Sequence, residues 1–256
     1  NRVLSVIPEF EPALRLRVVL WAEQEEFARA MLDLKTILRV QERAGEVDSE
    51  IYLQIASLFA MQDKWEEAVA VFDEMLKETP DDPDALRGRG DAYLGLGREE
   101  DAIVDYERSL ELDPENSGVL NNLSWLLSTS IKDEVRDGDR ALKLAVKACE
   151  VTEYGEAHIL SPLAAAHAEL GNFEEARTWS AKAVELAEEN ADALREGIVE
   201  SLREELESYE RNEPWREEEP LGVEGEWTEG IEEPDQGGKP GLPPRPDAGD
   251  GSLISV

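Results

Sequence analysis

The chain is short of several things that active-site chemistry needs. Among 256 residues there is one cysteine and there are two histidines. A lone thiol, Cys149, excludes an internal disulfide framework and a cysteine-only zinc site. It falls on the apolar side of RALKLAVKACEV, which predicts a buried small hydrophobe rather than a reactive group. His158 and His167 stand nine residues apart, whereas metal ligands on one helix face must be three or four apart. Each histidine is expected to pack or to sit on a rim. No glycine-rich phosphate loop follows a strand, and no serine or cysteine has a histidine at a diagnostic spacing. The expectation is a non-enzyme with no catalytic residue, no metal and no cofactor.

Basic charge is also scarce: 26 Lys and Arg stand against 60 Asp and Glu, a net charge of −34. A nucleic-acid footprint needs clustered Lys and Arg, so nucleic acid is not an expected partner. Anionic membrane surfaces should repel the chain. No apolar run approaches the roughly 20 residues that span a bilayer, so membrane insertion is not expected either. No basic-then-apolar leader opens the sequence. It starts at Asn1 rather than Met, which leads us to expect a further segment or domain upstream.

What is present is a repeat. Shifting GDAYLGLGREEDAIVDYERSLELDP, residues 90–114, back by 34 lays Gly90 on Ala56, Tyr93 on Phe59, Ala102 on Ala68, Tyr106 on Phe72 and Pro114 on Pro80. Small falls on small, aromatic on aromatic, proline on proline. Shifting it forward by 34 sets Gly90 on Ser124, after which the register slips through STSIKDEVRDGD and recovers at Ala141, Ala145 and Ala148. A later copy, LSPLAAAHAELGNFEEARTWSAKAVELAEEN, matches Gly171 with Gly97, and an earlier one carries Trp21, Ala30, Leu34 and Ile37.

Each copy holds two segments of helical periodicity, joined at GLGR, AMQD or ELGN and closed by proline, which makes a helical hairpin. Glycine in a helix costs about 1 kcal/mol relative to alanine. Gly90, with Ala102 and their equivalents in the other copies, therefore points to helix crossings where only a small side chain fits. Pro80 and Pro114 cannot continue a helix and turn the chain into the next copy. Since no hairpin buries its apolar stripe alone, the copies should stack.

These residues resemble the tetratricopeptide repeat family. Leu86, Gly90, Tyr93, Ala102, Tyr106 and Pro114 carry its pattern in one copy, and Tyr52, Ile55, Ala56, Phe59, Ala68, Phe72 and Pro80 in another. Arg89, Ser109 and His167 depart from it, standing where leucine, alanine and an aromatic are usual. The resemblance implies an all-α, right-handed α-solenoid with a concave and a convex face, covering residues 1–211 in about five hairpins. NRVLSVIP reads as the closing turn of a preceding second helix, leaving Val3, Leu4 and Ile7 on an uncapped edge where weak self-association is expected. From Ala191, one long helix with Leu194, Ile198, Leu202 and Leu206 on one side is expected to cap the array. Residues 212–256 are rich in Pro, Gly and Glu and are expected to be disordered. They form either a solubilising tail or one with binding segments at Trp215, Trp227, Ile231 or PGLPPRP.

Carboxylate pairs such as Glu66 and Glu67, Glu99 and Glu100, and Glu174 and Glu175 open the second helices, where they favour the positive dipole end and face solvent. DEVRDGDRALKL lacks the ligands of an EF-hand at Val135 and Leu144. Asp137 or Asp139 is expected to cap the helix that follows.

The remaining candidate is the concave groove, lined by first helices. At its middle, Arg87, Asp91, Asn121, Asn122 and Trp125 bring together a cation, a carboxylate, two amides and a large aromatic. Trp125 is either a ligand anchor or a packing residue between first helices. One subset of the family clamps a partner's C-terminal carboxylate with lysine and asparagine here. This chain has no lysine on these strips, so that activity is not expected of it. The resemblance implies a scaffold that binds a protein or peptide. The alternatives are a regulatory segment of an enzyme whose catalytic domain lies upstream, and a structural spacer.

Overall fold

Helix boundaries follow from local chemistry. Asp82 accepts a hydrogen bond from the Ala85 N–H at 2.9 Å, with Pro83 opening the helix. Asn116 and Asp137 cap the same way, accepting from the Val119 and Arg140 N–H groups at 3.1 and 3.0 Å; Asp137 is thus one of the two caps expected. First helices end where Gly97 and Gly171 turn left-handed at φ 67° and 78°. Asp63, at the register of Gly97, takes the same conformation at φ 54°.

The computed structural model describes residues 3–45, 47–190 and 197–217, all within the unit Asn1–Val223. These residues form eleven helices and no strand: α1 Glu11–Glu23, α2 Phe27–Ala44, α3 Glu50–Ala60, α4 Trp65–Glu78, α5 Pro83–Gly95, α6 Glu99–Leu112, α7 Ser117–Thr129, α8 Gly138–Val151, α9 Ala157–Glu169, α10 Phe173–Glu189 and α11 Ile198–Glu210. Consecutive helices pair as hairpins from α1–α2 to α9–α10, each second helix packs on the next first helix, and α11 packs on α10. The first helices α3 and α5, and α7 and α9, also touch. The fold is an all-α helical-repeat solenoid.

The small residues sit where large neighbours close over them. A Cβ on Gly90 would lie 2.7 Å from Cε1 of Tyr106, and one on Gly95 would lie 2.3 Å from the Trp65 ring. Arg89, where the pattern asks for leucine, donates twice to buried Asp105 at 2.7 and 2.8 Å and once to Asp73 at 2.7 Å. Ser109 donates to the Pro83 carbonyl at 3.0 Å, so this hydroxyl ties two helices of its own hairpin. Cys149 is fully buried, and burial pushes its thiol up to about 11.

The ends of the array differ from expectation. Leu4 is buried rather than exposed, whereas Val3, Val6, Ile7 and Phe10 remain exposed. The last helix starts at Ile198, after Gly197 at φ 90°, instead of at Ala191; Leu194 lies outside the described residues. Glu99 does not face solvent as its position suggested: its carboxylate accepts from Ser130 Oγ at 3.0 Å and lies 3.3 Å from Lys132 Nζ. Residues 213–217, placed by composition in the disordered tail, pack on the array, while Trp227, Ile231 and PGLPPRP lie outside the described residues.

Candidate functional site

Helical spacing puts Arg87 and Asp91 on one strip of α5, and Asn121 and Trp125 on one strip of α7. The structure joins four of the five expected groove residues in one network. Arg87 Nη1 donates to Asp91 Oδ2 at 3.4 Å. Asp91 Oδ1 accepts from Tyr106 Oη at 2.6 Å and from Asn122 Nδ2 at 2.9 Å. Asn122 Oδ1 accepts in turn from Asn121 Nδ2 at 3.0 Å. Asp91 thus accepts from three groups, and Asn122 donates to one and accepts from one; the Tyr106 hydroxyl is pushed to a higher pKa by burial and by the Asp91 charge. Asn121 Oδ1, by contrast, is buried without a partner.

Trp125 lies apart from this network. Its ring lines a cavity of about 280 Å³ with Asn121, His158, Ser161, Pro162, Ile198, Ser201, Leu202 and Glu205, drawn from α7, α9 and α11. Sequence reasoning missed Ser161 as a partner of Glu205, and missed Glu205 altogether. Glu205 was hidden among the abundant surface glutamates of its helix; the one available signal was its position three residues after Leu202, on the helix's apolar side. It is only 4% exposed, accepts from Ser161 Oγ at 2.7 Å, and is pushed up to about 7 by burial, with the Glu217 charge adding to the rise.

The non-helical strap 213–217 returns across this face. Its Trp215 packs against Ala164, Ala168, Ala176 and Tyr209. Arg216 donates to the Ser128 carbonyl at 3.1 Å and to Glu169 at 2.6 Å. The Glu217 N–H donates to the Thr129 carbonyl at 2.9 Å. The strap thus caps the last carbonyls of α7, where a cation and N–H donors are favoured. Trp125 Nε1–H donates to Glu217 Oε2 at 2.6 Å.

Stacked hairpins whose first helices line one face define the class, a helical-repeat protein. Residues 52–117 and 158–190 each match a family model described as tetratricopeptide repeat. The tetratricopeptide repeat protein from Parabacteroides merdae ATCC 43184 superposes with TM-score 0.58 at 19% identity, over 79% of this chain and 74% of that one. A thermophilic TPR protein of Thermus thermophilus does so with TM-score 0.57 at 17% identity, over 78% of this chain and 99% of that one. Over these two stretches the chain carries tetratricopeptide repeats. A UPF0162 protein of Xylella fastidiosa (strain Temecula1 / ATCC 700964) is 41% identical over 69 residues, 27% of this chain and 25% of that protein. The chain thus spans about a quarter of the length of the curated relatives it matches. The repeat fold suggests a protein–protein interaction scaffold, and proteins with this repeat are generally non-catalytic. Among the described residues no helix is long and apolar enough to cross a membrane.

Proposed function

We propose that the chain binds a peptide segment of a partner protein in its concave groove, with Trp125 as the anchor and Arg87 and Asn121 as polar contacts. Asp91 and Asn122 hold Arg87 and Asn121 in place. The observation that carries this reading is the half-buried Trp125 ring beside a cavity, its indole N–H already engaged by a non-helical stretch of chain. A large aromatic with an apolar body and a polar N–H is the commonest kind of interface hot spot.

Peptides selected by display on the folded chain provide the test. Trp125→Ala should weaken the selected peptides by roughly 2 kcal/mol in calorimetry and shift the unfolding midpoint only slightly. Unchanged affinity together with a folding loss of about 3–5 kcal/mol would make Trp125 a packing residue and end the groove reading. The exposed Val3, Val6, Ile7 and Phe10 support a second contact, weak self-association at the N-terminal edge. Sedimentation velocity should then show a concentration-dependent dimer that Val6→Glu removes.

A further inference from the structure

We infer that the cavity between α7, α9 and α11 receives a primary ammonium, the lysine side chain of a partner segment, with the Glu205 carboxylate as its counter-charge. This rests on the peptide-binding reading of the groove and names what the ligand must carry.

The cavity is short of positive charge: the Ser161 and Ser201 hydroxyls in its lining are neutral donors, and the nearby buried Tyr209 hydroxyl, which feels the Glu205 charge, makes no hydrogen bond. Glu205 is 4% exposed, and no cation among the described residues pairs with it. Buried carboxylates are ordinarily paired. Ser161 Oγ donates to Oε2 only, which leaves Oε1 open. Asn121 Oδ1 is buried and unpartnered. Pro162, inside α9, has no N–H for the His158 carbonyl at the cavity rim. The His158 ring is exposed and turned to Glu156 at 3.4 Å, so it supplies no counter-charge. Glu217 adds a second carboxylate beside Trp125. A ligand that answers this set must bring hydrogens and positive charge. The effect of burial and of Glu217 on the Glu205 proton is what a bound cation would reverse.

The walls select among cations. Trp125, Pro162, Ile198 and Leu202 suit an aliphatic stem, and the indole face favours a nearby positive charge. A volume of about 280 Å³ falls at the lower edge of small-molecule sites and accommodates one side chain. Arginine recognises carboxylates with two parallel bonds, but here one oxygen is already held by Ser161. A compact ammonium needs only the other.

Blocked alanine–glycine peptides with one central lysine, arginine, acetyllysine or norleucine are the probes. They are titrated into the whole chain at pH 8 and moderate salt, reading the Trp125 indole N–H resonance. Lysine should bind about tenfold more tightly than norleucine or acetyllysine, as for a charge-assisted contact, and more tightly than arginine. Glu205→Gln should remove the lysine advantage while keeping norleucine binding. Ser161→Ala, which frees the second oxygen, should narrow the gap to arginine. A lysine advantage that survives Glu205→Gln would assign it to the general acidity of the surface and overturn the inference. Equal binding of lysine and norleucine, with the Trp125 resonance still moving, would overturn the ammonium but keep the groove. If no probe moves that resonance, the groove reading falls as well.

Discussion

The hairpins α3–α4 and α5–α6 lie one period apart and fill the same positions with opposite chemistry. Ile55 and Val71 in the first become Arg89 and Asp105 in the second, and Ser57 and Phe72 become Asp91 and Tyr106. Ile55 and Val71 are 5% and 7% exposed and Asp105 is as buried at 4%, whereas the Arg89 side chain reaches towards solvent at 22%. The earliest hairpin repeats the ionic solution: Arg17 grips Asp33 with two bonds of 2.6 Å, across the same separation of 16 residues. Small residues and helix caps therefore set the hairpin geometry, while the pair at this level is free to be apolar or ionic. Polar contacts also join α5–α6 to the next hairpin, where Tyr106 and Asn122 both donate to Asp91.

The comparison is broken most severely by removing one partner. Arg89→Leu strands a buried carboxylate and should cost about 3–5 kcal/mol in urea unfolding. Arg89→Ile with Asp105→Val transplants the pair from α3–α4, and should return stability to within about 1 kcal/mol of the parent or above it. A double variant as unstable as the single one would mean that the two hairpins are not interchangeable at this level.

Glu205 is the contrasting case, a buried carboxylate with no arginine. Its folded pKa of about 7 lies above the unfolded 4.5, so the native state holds the proton more tightly. Its protonated form favours folding fully below the unfolded value, and that contribution is lost as pH rises from about 4.5 through about 7. Glu205→Gln should match the parent at pH 4 and exceed it by roughly 2–3 kcal/mol at pH 8. A difference that does not vary with pH would remove the unpaired-charge account.

How far the sequence carried depended on whether information was local. The period, the closing prolines and the Asp137 cap are written in adjacent residues, so the solenoid was legible. Arg89 looked like a blemish because its meaning lies 16 positions away, at Asp105. Arg87, Asp91, Asn121 and Asn122 were legible as neighbours from the repeat register. Their hydrogen bonds to one another were not, since hydrogen-bond partners depend on rotamers that the register does not fix. Glu205 and the strap were hidden for a third reason: charged and Pro-rich composition argues for solvent, yet Trp215 and Arg216 find a ready-made surface. A chain ending at residue 212 should consequently be less stable than one ending at 217 by about 2 kcal/mol, given the loss of a packed tryptophan and several hydrogen bonds. Equal midpoints would show that the strap rests on the array without holding it.

The smallest effect tests the finest difference between the two hairpins, Ala56 against Gly90. The Tyr106 hydroxyl is drawn to Asp91, the residue after Gly90, and its ring lies over the glycine, where a Cβ would come within 2.7 Å. Phe72 has no hydroxyl to anchor and instead closes over Gly88 of the next hairpin, whose Cβ would lie 2.3 Å from its ring. Gly90→Ala thus sets two terms against each other: about 1 kcal/mol gained from helix propensity and about 1–3 kcal/mol lost to overpacking. A net loss of about 1 kcal/mol is expected, together with a shift of the Asn122 side-chain amide resonances as the tyrosine moves. Tyr106→Phe frees the ring from Asp91 and should make Gly90→Ala neutral or favourable in that background. If the alanine costs the same with phenylalanine in place, the hydroxyl does not position the ring, and the contrast between Ala56 and Gly90 needs another cause.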